Sequence, residues 1–158
     1  MPLPILLIAG ALLVGFVLAA WPHIRRLMMN SIIPFVMRHS KLVGEMLGNL
    51  MFYLDGNLSA TREYIRTTWR AVRQLVVGSK TIYRQKEGNS FTSATTTVLN
   101  TGEEKLKIQQ VETELDWEEI PADIRREFMV EGRQEARLDI FDAVETKLKS
   151  KDPLILEV

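Results

Sequence analysis

Residues 3–20 read LPILLIAGALLVGFVLAA, and Trp21 follows. The stretch holds no charged or strongly polar side chain. At ~1.5 Å per residue, a helix of this length comes close to the ~30 Å hydrocarbon core of a bilayer. Backbone groups in lipid must find partners within their own segment, and a helix supplies them. Leu3, Ile5, Leu6, Leu7, Ile8, Leu12, Leu13, Val14, Phe16, Val17 and Leu18 would face lipid, with Trp21 at the headgroups. A cleaved export signal is the rival reading. No Lys or Arg precedes the apolar run, however, and Leu18-Ala19-Ala20 poorly matches a small-x-small cleavage site. The expectation is therefore a transmembrane anchor over 1–21. Arg25 and Arg26 follow it, which predicts a single-pass inner-membrane protein with its N-terminus out and its C-terminal region cytoplasmic.

Beyond the anchor, 137 residues remain, enough for one modest domain or a few packed helices. The chain has no cysteine, which excludes disulfides, thiolate metal sites and thiol nucleophiles. Residues 22–86 read as a basic juxtamembrane helical region. In it Leu42, Val43, Met46, Leu47, Leu50, Met51 and Leu54 recur at helical spacing, with Pro34 breaking or starting that helix. Gly44 and Gly48 have the small-xxx-small spacing that lets helices approach closely, and Leu47 and Met51 would pack beside them. A second helix is predicted over 59–83, capped by Ser59. Its cations Arg62, Arg66, Arg70, Arg73, Lys80 and Arg84 recur at ~3.67 residues per helical turn, with the step from Arg73 to Lys80 spanning two turns, and form one stripe.

Residues 87–102, rich in Ser, Thr and Asn, read as a linker or a Thr-rich edge strand. Residues 103–158 read as an acidic, mainly helical cytoplasmic region. Composition favours helix over 103–117, although alternation from Leu106 to Trp117 offers a small β-hairpin over 91–117 instead. A long helix is predicted from Pro121 to about Ser150, with Glu127, Glu131, Glu135, Asp139 and Asp142 on an acidic partner face. The fold class expected is thus mainly α.

Zero net charge conceals a polarity. Residues 1–86 carry 11 Lys and Arg against 3 Asp and Glu, and residues 87–158 carry 9 against 17. The two halves balance at +8 and −8. Anionic lipid, an acidic protein or the acidic region of another copy would each suit the arginine stripe. Exposed ion pairs contribute only ~0–1 kcal/mol each, so charge would steer assembly while apolar faces supply adhesion.

Catalytic signatures are absent. His23 and His39 lack i,i+4 spacing and acidic company, and read as interfacial side chains. Gly78-Ser79-Lys80 lacks the earlier glycine of a phosphate loop. No catalytic or metal residue and no cofactor is expected. Nucleic acid is not an expected partner, because Trp69 falls among the apolar positions and the distal half is acidic. The predicted function is a non-catalytic structural or assembly subunit of a membrane complex, with membrane lipids and other subunits as partners in a homo- or hetero-oligomer. The alternatives are a membrane-surface adaptor acting through the arginine stripe and an anchoring subunit for a soluble enzyme.

Overall fold

A computed structural model describes residues 20–88, 90–102, 105–130 and 132–157. Helix α1 covers 20–39, with a π-helical turn at Met28–Ile32. Helix α2 is Lys41–Leu54 and α3 is Arg62–Leu75. Strands β1 (Val76–Gln85), β2 (Ser90–Asn100) and β3 (Leu106–Asp116) follow. A 3-10 turn at Trp117–Glu119 leads to α4 (Ala122–Phe128), β4 (Glu135–Asp139) and α5 (Ile140–Lys151). The strands form one antiparallel sheet in the order β3-β2-β1-β4.

The fold is mixed α/β, not mainly α, and three predicted helices need correction. The helix over 59–83 stops at Leu75, where Val76-Val77-Gly78 brings β-branched residues and a flexible step. The chain then alternates, Ser79, Thr81 and Tyr83 inward and Lys80 outward. Its cap is Thr61, whose Oγ1 accepts from the Tyr64 amide at 3.1 Å, not Ser59. The helical preference for 103–117 fails because β3 pairs with β2 along its whole length, from Ser90↔Asp116 to Asn100↔Leu106. The long helix over 121–150 is interrupted after Phe128. Gly132 takes φ +83°, a left-handed conformation that ends the helical course, and Ala136 and Leu138 then point inward from β4 while Arg137 points out.

The expected single-pass inner-membrane protein is corrected as well. Among the described residues no helix is long and apolar enough to cross a membrane. Leu3 to Leu18, on which the anchor rested, lie outside the described residues. What is described of that region buries itself in protein. Ala20, Ile24, Met28, Ile32 and Val36 of α1 are all 1% exposed or less and join the core. A four-residue step drifts about 40° per turn on an ordinary α-helix, and the wider π turn takes up part of that drift. The same turn precedes Pro34, whose ring would clash with a regular preceding turn. Trp21, expected at a headgroup interface, is buried, and its Nε1 donates to Asp55 Oδ1 at 3.0 Å.

The helices gather over one face of the sheet. The middle of that face is hydroxyl: Ser79, Thr81, Ser93, Thr95 and Thr97 are all buried, with Val76, Phe91, Leu99 and Leu138 around them. Facing rungs satisfy one another, Ser79 with Thr97 at 2.9 Å and Thr81 with Thr95 at 2.8 Å. Phe91 closes one end of the sheet against Trp117 and Phe128, and Phe141 of α5 packs on Trp69 of α3. Helix α2 comes close to α1 at Gly44. A Cβ there would lie 2.9 Å from Met37 Cα, whereas one at Gly48 would meet nothing within 4 Å. The small-xxx-small pair therefore joins α2 to α1 of the same chain, through one glycine of the two. Leu47 and Met51 of the same helix are core.

Candidate functional site

Two clefts collect most of the chemistry. The first belongs to the arginine stripe, which the structure divides. Arg62, Arg66, Arg70 and Arg73 lie along α3, while Lys80 and Arg84 sit on β1 and face away from the helices. Arg62 Nε lies 2.5 Å from Asp152 Oδ2, and Arg62 holds that carboxyl below the usual range. Arg66 donates from Nε to the Ile155 carbonyl and from Nη2 to the Leu154 carbonyl, both at 2.9 Å. The C-terminal stretch is thereby strapped along α3, with Ile155 buried beneath it. Arg73 lies over the Trp69 and Phe141 rings and donates to the Val77 carbonyl at 3.3 Å.

Between α3, α5 and this strap opens a cleft of about 500 Å³, lined by Arg66, Arg70 and Arg73 with Trp69, Gln74, Glu145, Leu156 and Glu157. Carbonyl oxygens engage two of its arginines, but no carboxylate among the described residues lies within 4 Å of any of the three. Glu145 leans toward Lys149 at 3.9 Å.

The second cleft, about 240 Å³, lies between α1, the sheet and the 3-10 turn. Its floor is Ser93 of β2 and Leu115 of β3, and its walls include His23, Arg26, Asn30, Thr113 and Glu119. A shallower opening of about 400 Å³ continues past His23, Arg26 and Glu119 toward Arg125. His23 Nε2 and Tyr83 Oη share a hydrogen bond of 2.5 Å, with the Tyr83 ring wholly buried. Burial pushes the Tyr83 phenol well above its ordinary range. Burial, then the Arg26 charge, lowers His23 from its ordinary value. Both neutral forms are favoured. Glu119 is positioned through Oε1, which accepts the Asp116 amide at 3.1 Å.

Compared with known proteins, the chain matches no family model, no curated protein and no solved structure.

The remaining predicted site residues scatter. Arg25 pairs with Asp55 at 2.8 Å on α1, while Arg26 turns to the second cleft. Arg84 joins Glu135 at 3.3 Å, and Glu135 also meets Arg137 at 3.2 Å. The acidic face does not exist as one surface. Glu127 is on α4 and pairs with Arg133, Glu135 and Asp139 are on β4, and Asp142 is on α5. Asp139 caps α5 by accepting the Asp142 amide. Glu131 lies outside the described residues. Among those residues no group of three His, Asp or Glu is placed to hold a metal. Ser93, Thr113 and Glu119 are not among the residues predicted to form a site, and Tyr83 only closes the helix expected over 59–83. The signal for Ser93 was the alternation of Ser and Thr at period two through 79–81 and 93–97, whereas Thr113, between Glu112 and Glu114, carried none.

Proposed function

We propose that this protein is a non-catalytic binding module that receives an acidic segment of another protein in the arginine cleft of α3. In this role it serves assembly, not turnover. The observation that supports the reading is the electrostatic state of the cleft. Three guanidinium groups within two turns of one helix line a common depression, and among the described residues none has a carboxylate partner. Arg70, in the middle, makes no side-chain hydrogen bond to any described residue either. Guanidinium groups favour paired, planar contacts with carboxylates, and a protein segment bearing two or three acidic side chains would satisfy several at once. Trp69 and Leu156 add an apolar border of the kind that anchors such a segment.

Titration of the full chain with a hexaglutamate peptide, followed by calorimetry, tests the proposal. Binding should appear at low ionic strength and weaken with added salt. Arg70→Glu should weaken it by about tenfold or more, and Arg70→Lys far less. Equal binding of hexalysine, or an unchanged affinity in Arg70→Glu, would overturn it.

A further inference from the structure

The hydroxyl ladder on the inner sheet face breaks at one rung. Ser79 and Thr81 each have a hydroxyl partner across the β1–β2 pair. At the next rung Tyr83 stands opposite Ser93, and the phenol is already engaged with His23. Ser93 is only 3% exposed, lines the 240 Å³ cleft, and makes no side-chain hydrogen bond to any described residue. Every fully buried side-chain nitrogen and oxygen among the described residues has a hydrogen-bond partner, so the Ser93 hydroxyl, which has none there, keeps its contact with the open space of the cleft. Thr113, its β3 neighbour in register, lines the same space with its own hydroxyl.

The walls carry opposite charges. Arg26 and Glu119 both border the cleft, yet no ion pair within 4 Å joins them. One wall therefore offers a cation and another an acceptor for a cation, with the Ser93 hydroxyl on the floor beside Leu115 and the Thr113 hydroxyl at the side. We infer that the cleft beneath α1 is a binding site for a small zwitterion, with the ligand carboxylate on Arg26, its ammonium on Glu119 and its polar remainder on Ser93 and Thr113. A free α-amino acid of modest size meets this description. The volume suits it, since a water occupies about 30 Å³ of liquid and the cleft would exchange several waters for one such molecule. This site is separate from the arginine cleft and involves no residue of α3.

The test is titration of the full chain with glycine, L-serine and L-threonine, read by amide chemical shifts of Ser93, Thr113 and Asn30. Saturable shifts confined to the cleft are expected below about 10 mM ligand. Ethanolamine, which lacks the carboxylate, and glycolate, which lacks the ammonium, should each bind at least about tenfold more weakly. Arg26→Ala and Glu119→Gln should each cost about tenfold, and Ser93→Val, which fills the floor, should abolish binding. Arg70→Glu should leave the affinity untouched. If no amino acid shifts these amides, or if ethanolamine or glycolate matches serine, the site is not one for zwitterions. Retention of affinity in both Arg26→Ala and Glu119→Gln would overturn the assignment of the charges even where Ser93→Val fails to fold.

Discussion

The two clefts of this molecule are built on opposite plans. The arginine cleft draws its cations from two turns of one helix, and their charges stay in contact with water. The cleft under α1 draws on α1, β2, β3 and the 3-10 turn, segments up to 96 positions apart from His23 to Glu119, and its floor is the buried Ser93 and Leu115. A local, solvated site tolerates change, because each charge loses little when a neighbour is removed. A site assembled from distant segments around buried polar groups does not, because a broken pair leaves an unsatisfied group behind.

The largest consequence of that difference should appear at the ladder supporting the second cleft. Thr95→Val strands the Thr81 hydroxyl in the core and should cost about 1–3 kcal/mol in urea denaturation. The double change Thr81→Val with Thr95→Val should recover most of that loss, since two apolar groups of similar shape then face each other. A double variant no more stable than the single one would mean that the loss comes from the missing hydrogen bond and not from a stranded hydroxyl.

A smaller effect should follow pH. His23 is lowered from its ordinary 6.5 by burial and by Arg26. The unfolded chain then takes up a proton at higher pH than the folded chain. Stability is complete above about 6.5 and falls as pH drops toward the lower folded value. Denaturation midpoints at about pH 7.5 and about pH 5.5 should therefore diverge for the native sequence, and the gap should narrow in His23→Gln. An unchanged gap would place the acid sensitivity elsewhere.

The smallest change in stability belongs to the arginine side. Arg62→Ala removes an exposed pair with Asp152 and should hardly move the midpoint. Amide exchange at Ile155 and Glu157 should nevertheless quicken, because the strap loses one of its two arginine holds. Unaltered exchange would show that burial of Ile155 alone fixes the segment.

What the sequence disclosed follows the same division. The cations of α3 were legible because helical spacing is a short-range pattern, and Arg62 to Arg73 do share one helix. The stripe was extended too far, through Lys80 and Arg84, because a strand also accommodates charges four residues apart when they fall on the same side. Glu127 to Asp139 misled for that same reason, and only Gly132 marked the break. The hairpin of β2 and β3 was obscured by its polarity. Between Phe91 and Leu99 its inward positions are Ser93, Thr95 and Thr97, so over that stretch the contrast between inside and outside that normally reveals a strand was missing. The second cleft could not be read at all from local pattern, since the register that sets Ser93 opposite Tyr83 and Thr113 is a property of pairing.

Helix α3 passes into β1 between Leu75 and Val76, and β4 passes into α5 between Asp139 and Ile140, with no connecting residue at either junction. The two strands involved are hydrogen-bonded neighbours. One extra residue between Leu75 and Val76 would face the chain with two incompatible corrections. Either β1 slips and turns Ser79, Thr81 and Tyr83 toward solvent, or α3 rotates by about 100° and carries its arginines off the cleft. The spacing between the last arginine and the first inward hydroxyl is therefore a fixed length, and this stretch of the chain should accept substitution far more readily than insertion or deletion.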